Sequence, residues 1–449
     1  MYNMELPIFH KLSQLINENA ISLHVPGHKN GTIGNVKNLD FKMDMTEITG
    51  LDDLHHPEDI ILKSMQHIHK HPDYDAYFLI NGTTSGILSV IQSFSKLKGN
   101  YLISRNVHKS VFHGLDIVQQ PADIIAMTKS NDSSQYLGPD TQSMTFNNQK
   151  LAIVTYPNYY GECFDIRTFV DRAHREAIPV LVDEAHGAHF NLKNFPKSAL
   201  ESGADYVVQS YHKTLPALTM GSMLFIHKDA PLKDEIVRYL GYFQTSSPSY
   251  LVMASLELAH QFYVDYDSTL FFEKRKKLID TLNMTGLTTI CVSDPLKLLI
   301  QYQGYSGFEI QTWFEQMGIY VELADDKQVL FVLPLWHEDD KYPFETLLNK
   351  ITKINLPCPL STKQSTSIHI PLDEGTYFPQ DSGNVTWVDI DQSMGKKLAM
   401  HIIPYPPGIP VYLKGERITK NMIKLMREYL QKGDRVEGIK QEKILVKDE

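Results

Sequence analysis

The sequence predicts an α/β fold: a large domain on a mostly parallel sheet, followed by a smaller α+β C-terminal domain. Strand-like and helix-like patterns alternate from about residue 75 to 230. Short apolar runs such as Ile178-Pro179-Val180-Leu181-Val182 and Ala204-Asp205-Tyr206-Val207-Val208 end on polar residues, as strands buried on both faces do. The length of 449 residues suits a large core and about two or three domains. The expected boundaries are an N-terminal arm and loop over 1–45, a large domain over 46–285 and a small domain over 286–449.

His24 to Gly31 reads as a loop with a glycine turn, a segment able to close over a site of its own or a neighbouring subunit. His55, His56, His67, His69 and His71 invite a metal reading, since His67 and His71 could share a helix face. Pro72 ends that helix and no carboxylate or cysteine completes a site, so a solvated surface without metal is expected. Ala76-Tyr77-Phe78-Leu79-Ile80 then runs through Asn81-Gly82-Thr83-Thr84-Ser85-Gly86 into a helical pattern. Such a turn aims free N–H groups and hydroxyls at a helix start, which suits a phosphate dianion, although it also reads as an ordinary cap.

The next strand end carries Arg105-Asn106-Val107-His108-Lys109-Ser110. His108 either lies over an electron-poor ring or caps the helix that Lys109 begins; spacing leaves both open. Asp183 ends one later strand, in Asp183-Glu184-Ala185-His186-Gly187, and Lys213 follows another, in Ser210-Tyr211-His212-Lys213-Thr214. Open α/β sheets place their ligands at these carboxyl ends. A strand-end lysine can form a Schiff base once desolvation lowers its pKa, and a strand-end carboxylate can hold charge on a ring nitrogen. Together they are the two fixed points that pyridoxal phosphate requires. Taken singly, Lys213 reads as a surface lysine and Asp183 as a helix cap.

Gln244 to Tyr250 is polar and turn-forming. From Asn355 to Gly395 the pattern loosens into Pro- and Ser/Thr-rich loops, and Gln431 to Glu449 reads as a mobile tail or a final solvated segment.

With the His24–Gly31, Thr46–Leu54, Asn81–Thr84, Arg105–Ser110 and Thr155–Gly161 blocks, the aspartate and lysine strands, and Tyr405-Pro406-Pro407-Gly408-Ile409-Pro410, the chain resembles the bacterial ornithine/lysine/arginine decarboxylases. The resemblance runs in order from His24 to Glu416. It implies the pyridoxal-phosphate transferase fold of aspartate aminotransferase, with Lys213 as the cofactor lysine and Asp183 on the pyridine nitrogen. It further implies His108 and Ala185 on the two ring faces, and Thr83, Thr84, Ser210 and His212 around the phosphate. His186 would lie near the ring hydroxyl or the substrate carboxylate, and Glu416 would meet the distal cation of the substrate. Ser247 would reach the cofactor phosphate of a partner subunit, which implies at least a homodimer. Large enterobacterial members carry an extra N-terminal domain that helps to form rings. This sequence starts near the first shared block, so a short form without that wing is expected.

Two positions depart from the pattern. Lys414-Gly415-Glu416 stands where Pro-Gly-Glu is expected, so Lys414 could neutralise Glu416, and Met220 replaces an expected glutamine.

Hydrophobic content of 42% and charged content of 21% are those of a globular protein, and the net charge of −10 argues against nucleic acid as the main partner. Cys163, Cys291 and Cys358 lack metal or disulfide spacing and suggest reduced thiols in the cytoplasm. No run is long enough to span a membrane, and the start carries no export signal.

Three functions follow. The first is decarboxylation of a basic amino acid, arginine or lysine and then ornithine. The second is aminotransfer or β-elimination with the same cofactor. An aminotransferase would be expected to place a small-domain arginine on the α-carboxylate, yet no arginine occurs between Arg275 and Arg417. The third is a non-catalytic paralogue, which has no physical need for a strand-end lysine beside a strand-end acid.

Overall fold

A computed structural model of the chain describes residues 6–360, 370–379, 383–404, 408–432 and 436–447. Tyr405-Pro406-Pro407 and residues 361–369 of the Ser/Thr-rich stretch lie outside the described residues.

An eight-stranded sheet organises the chain. Its order is Gly375–Tyr377, Ala122–Ile125, Asn100–Ser104, Gln149–Thr155, Val180–Asp183, Tyr206–Gln209, Ser222–His227, Tyr74–Leu79. The five strands from Ala122–Ile125 to Tyr206–Gln209 are parallel to one another, and Ser222–His227 and Gly375–Tyr377 run antiparallel to their neighbours. Side chains alternate across a strand, and each face here has its own core. Leu102, Ala152, Val154, Val180, Val182 and Val207 belong to one cluster. Tyr101, Ile103, Leu151, Ile153, Leu181, Tyr206 and Val208 belong to the other. Apolar packing on both faces explains why these strands read as continuous apolar runs.

Beyond the main sheet the chain forms smaller sheets. A four-stranded sheet orders Thr288–Cys291, Lys297–Gln301, Val329–Val332 and Leu323–Ala324, while Ile319–Val321 pairs in parallel with the early strand Ile21–Leu23. Leu298, Ile300, Phe331 and Trp336 join the same apolar cluster as Val180 and Val207. Residues from Ile390 to Val446 form a separate core with Leu398, Ile402, Tyr412 and Met426. Packing thus joins the 288–351 region to the cluster on the main sheet and leaves the 390–446 core apart.

The charged end is not a loose tail where it is described. Lys443–Lys447 pairs with Val385–Asp389, and Ile444 and Val446 are fully buried. Its burial alternates, with Ile444 and Val446 inside and Lys443, Leu445 and Lys447 on the other face, as in a strand with one face on a core. The helix Ile60–His67 ends before His71, so His67 and His71 share no helix face. Among the described residues no helix is long and apolar enough to cross a membrane.

Candidate active site

The lysine and the acid leave neighbouring strands at their carboxyl ends. Tyr206–Gln209 passes through Ser210 into the single turn Tyr211–Thr214, where the Lys213 N–H donates to Ser210 O at 3.1 Å. The next strand, Val180–Asp183, ends on the acid, which is 4% exposed and accepts the Ala185 N–H on Oδ1 at 3.2 Å. Burial raises the pKa of Asp183, while the Lys213 charge and the Ala185 N–H oppose that rise. Burial likewise lowers the Lys213 pKa, against the pull of Asp183 and Glu322. These two groups therefore sense one another in a single desolvated place, as a cofactor bridging them requires.

The early loop seals this turn from outside. Gly27 N donates to His212 O at 2.7 Å, and a Cβ at Gly27 would stand 2.4 Å from Leu215 O, so only glycine lets the two backbones approach.

The small-residue turn behaves as its sequence predicts. Gly82, at φ 75° and ψ 171°, breaks the strand and starts the helix Thr83–Ser93. Its first N–H groups lack intrahelical partners and carry the positive end of the helix dipole. Thr83 Oγ1 lies 3.4 Å from Ser210 Oγ, so the phosphate turn and the lysine turn meet.

His108 caps a helix, the second of the readings left open by spacing, and also borders the lysine cavity. Its Nδ1 accepts the Ser110 N–H at 3.3 Å and caps the helix Lys109–Val118, while its ring lines the same cavity as Lys213. Burial, with Lys213, Lys109 and His113 nearby, pushes its pKa down to about 3. The Nδ1 of His212 lies 3.0 Å from Gly221 O and donates to it; burial and Lys213 bring this ring down to about 4.

A cavity of about 550 Å³ collects Lys213, His212, Ser210, His108, Thr83 and Thr84, with Met220 and Glu322 also on its wall. Asp183 and His186 are buried beside Lys213, and Ala185, also buried, donates its N–H to Asp183. Hydroxyls and helix N–H groups at one end suit a phosphate, and the amine and carboxylate suit an aldehyde-bearing heterocycle.

Glu416 lies elsewhere, and Ser247, expected to serve a partner subunit, stands on the surface. Ser247 is exposed, with its N–H on Thr245 Oγ1 at 3.2 Å, and does not line this cavity. Glu416 lines a different cavity, of about 320 Å³, and accepts from Arg105 at 2.5 Å and from Leu413 N at 2.9 Å. Nor does Lys414 neutralise it, because the Lys414 ammonium turns to Asp116 at 3.0 Å and to Pro379 O at 3.0 Å.

Sequence reasoning missed Lys297 and Glu322 and gave Lys29 and Tyr159 no role. His186 Nε2 lies 3.2 Å from Lys213 Nζ, and its Nδ1 lies 3.2 Å from Lys297 Nζ. Glu322 accepts from Tyr159 OH at 2.5 Å and from Val25 N at 2.9 Å. Burial works to raise the Glu322 pKa, but Lys297, Tyr159, the Val25 N–H and Lys29 outweigh it and keep the carboxyl ionised. Lys29 is 1% exposed and donates to Val332 O at 2.9 Å and to His24 O; burial brings it down to about 7. A signal was available, since Leu296-Lys297-Leu298 and Val321-Glu322-Leu323 each place one charge inside an apolar run.

Residues 6–270 match the family profile "Orn/Lys/Arg decarboxylase, major domain", and residues 375–442 match "Orn/Lys/Arg decarboxylase, C-terminal domain". The protein YaaO of Bacillus subtilis (strain 168) is 36% identical over 99% of this chain and 98% of its own length. An arginine decarboxylase of the same organism is 28% identical over 98% of this chain and 96% of its own. Among solved structures, the constitutive lysine decarboxylase of E. coli matches the fold with a TM-score of 0.68 at 17% identity, over 99% of this chain and 82% of that one. Lysine decarboxylase A from Pseudomonas aeruginosa does so with a TM-score of 0.66 at 15% identity, over 90% of this chain and 74% of that one. Family profiles over both ends of the chain and a relative aligned nearly end to end agree with the strand-end lysine and acid: the chain belongs to the Orn/Lys/Arg decarboxylase family.

Proposed function

We propose that the chain is a pyridoxal-phosphate-dependent decarboxylase of a basic amino acid, arginine or lysine first and ornithine next, yielding an amine of the polyamine type. The observation that carries this reading is the burial of Lys213 and Asp183 together at adjacent strand ends, beside a helix start rich in hydroxyls. The basic substrate is favoured by the relatives named as arginine decarboxylases.

The residues present fit the cofactor. Lys213 supplies an amine whose desolvation favours the uncharged, nucleophilic form. Asp183 would hold a proton on the pyridine nitrogen; among the described residues the Ala185 N–H and Lys213 act on its charge. Thr83, Thr84, Ser210 and the first N–H groups of Thr83–Ser93 would bind the phosphate. His108 and Ala185 would flank the ring, and His186 would stand beside its substituents. When bound, the cofactor supplies the sink for the electron pair left on the α-carbon as CO₂ departs.

The chain must then return a proton to that carbon. Lys213 and His212 both line the cavity and can do so. Because the Nδ1 proton of His212 is committed to Gly221 O, only Nε2 can carry the transferred proton, and a phosphate dianion nearby raises its readiness to hold one. Glu322 is the carboxylate on the cavity wall and would face the cationic substrate. Glu416, tied to Arg105, takes no part in this cavity within one chain. The exposed Ser247 would reach a partner's phosphate in a homodimer, the assembly proposed here, working in the cytoplasm.

Purified protein mixed with pyridoxal phosphate should gain a visible absorption band that borohydride abolishes, leaving the cofactor mass on the Lys213 peptide. It should then release CO₂ and one amine from a mixture of arginine, lysine and ornithine. A Lys213→Ala protein should show neither result. Keto acid without CO₂ would overturn the decarboxylase reading in favour of aminotransfer, and absence of the band would overturn the cofactor.

A further inference from the structure

One imidazole stands between two amines. His186 presents Nε2 to Lys213 Nζ and Nδ1 to Lys297 Nζ, each at 3.2 Å. Burial and the surrounding cations, Lys213 and Lys297 first among them, hold its pKa well below 6.5, so the ring is neutral. A neutral imidazole has one N–H and one bare nitrogen, whereas an ammonium can only donate. Two ammonium groups cannot both be hydrogen-bonded to this ring. One of the two lysines has to be a free amine.

The proposed chemistry chooses which: the lysine that bonds an aldehyde reacts as the free amine, which makes Lys213 the uncharged partner and leaves Lys297 as the ammonium. Lys297 is fully buried, and burial brings it down to about 8 while Glu322 and Asp294 favour its charge, so it stays an ammonium at neutral pH. It also lies over the Tyr159 ring, 5.5 Å from the centroid. Its stem runs against Gly161, at φ +87°, where a Cβ would stand 2.4 Å from Lys297 Cγ. The chain thus leaves a passage for this side chain. Lys213 is faced by Asp183 and Glu322 on the acidic side, and by His108, His186, His212 and Lys297 on the basic side. Lys29 adds a further cation behind Lys297.

We propose that the Lys297 ammonium donates to Nδ1 of His186 and thereby fixes the ring with its proton on Nε2, where it donates to Lys213 Nζ and holds that amine uncharged. Lys297 is then a positioning residue that acts through His186, from the sheet Thr288–Val332, on an amine at the end of another sheet. The inference rests on the reading of Lys213 as the cofactor lysine.

The test needs neither cofactor nor activity. Trace acetylation of the apoprotein across a pH series, followed by mass spectrometry of the Lys213 peptide, gives the titration midpoint of that amine. Lys297→Met removes a cation and frees His186 to accept from a Lys213 ammonium, so the midpoint should rise by about one pH unit or more. Lys297→Arg keeps the charge and should leave the midpoint near that of the parent. In a His186→Phe background, Lys297→Met should produce a smaller rise. A midpoint that stays or falls in Lys297→Met overturns the proposal. Should that variant not fold, ¹⁵N-histidine spectra of the parent, assigned by loss of one signal in His186→Gln, still decide: protonated Nε2 is expected, and protonated Nδ1 overturns it. Failure of Lys213 to take up pyridoxal phosphate would sink the proposed function instead, and would leave this titration readable.

Discussion

Glu416 and Arg105 form the ion pair most exposed to misreading. The Arg105 side chain is 5% exposed and that of Glu416 30%, so neither charge is well hydrated. Removing one member of a buried pair strands the other, which costs far more than the pair contributes. Glu416→Gln should therefore cost about 3 kcal/mol of stability, at the lower end of the range for buried pairs because Glu416 keeps some solvent. Chemical denaturation measures that loss. If Glu416 instead serves the substrate, stability will hold and KM for the basic amino acid will rise. The contrast marks what could be read from the sequence. Asp183 ends its strand, and Thr83, Thr84, His108 and Lys213 lie in the short turns that follow strands ending at Leu79, Ser104 and Gln209, so a local pattern reveals them. Lys297 reaches His186 across 111 positions and Glu322 reaches Tyr159 across 163. Only tertiary packing decides such pairings. The fate of Lys414 was hidden for the same reason, since its partner Asp116 is 298 positions away.

Among the elements, the parallel strands were legible because burial on both faces writes an unbroken apolar run. The C-terminal strand was not. Lys443–Lys447 is short, carries a lysine at each end within a charged stretch and needs Val385–Asp389 as its partner, so by composition alone it resembles a solvated tail. Yet Ile444 and Val446 close a core of their own with Leu398 and Met426. Ile444→Ala should cost about 3 kcal/mol, as buried aliphatic truncations do. Since that core is separate from the two clusters on the main sheet, the loss should appear first as faster amide exchange in residues 385–447. Cofactor uptake at Lys213 should persist. Exchange rising equally through the main sheet would mean that the C-terminal core is not an independent unit.

For the whole molecule, the buried imidazoles determine how the protein meets acid. Burial, reinforced by Lys213 and Lys70 in turn, holds His212 and His260 at about 4, against an ordinary value of 6.5. His174 is shifted the other way by the hydrogen bond it donates to Asp205 and acts in the opposite sense. An unfolded chain takes up protons on His212 and His260 near pH 6.5, but the folded chain refuses them until about pH 4. Between those values the unfolded state binds more protons, so stability rises with pH there. The stabilisation is complete above pH 6.5 and is lost as the pH falls towards about 4. Scanning calorimetry of the apoprotein should accordingly show Tm falling across this window. His260 offers a clean control, because its ring stacks with Tyr211 at 17° and with Tyr263 at 23° in the layer behind the lysine turn. His260→Phe keeps a flat ring in that layer and removes the protonation site, so it should make the fall in Tm shallower. An unchanged slope in this variant would show that refusal of a proton by the buried ring is not what makes the fold acid-labile.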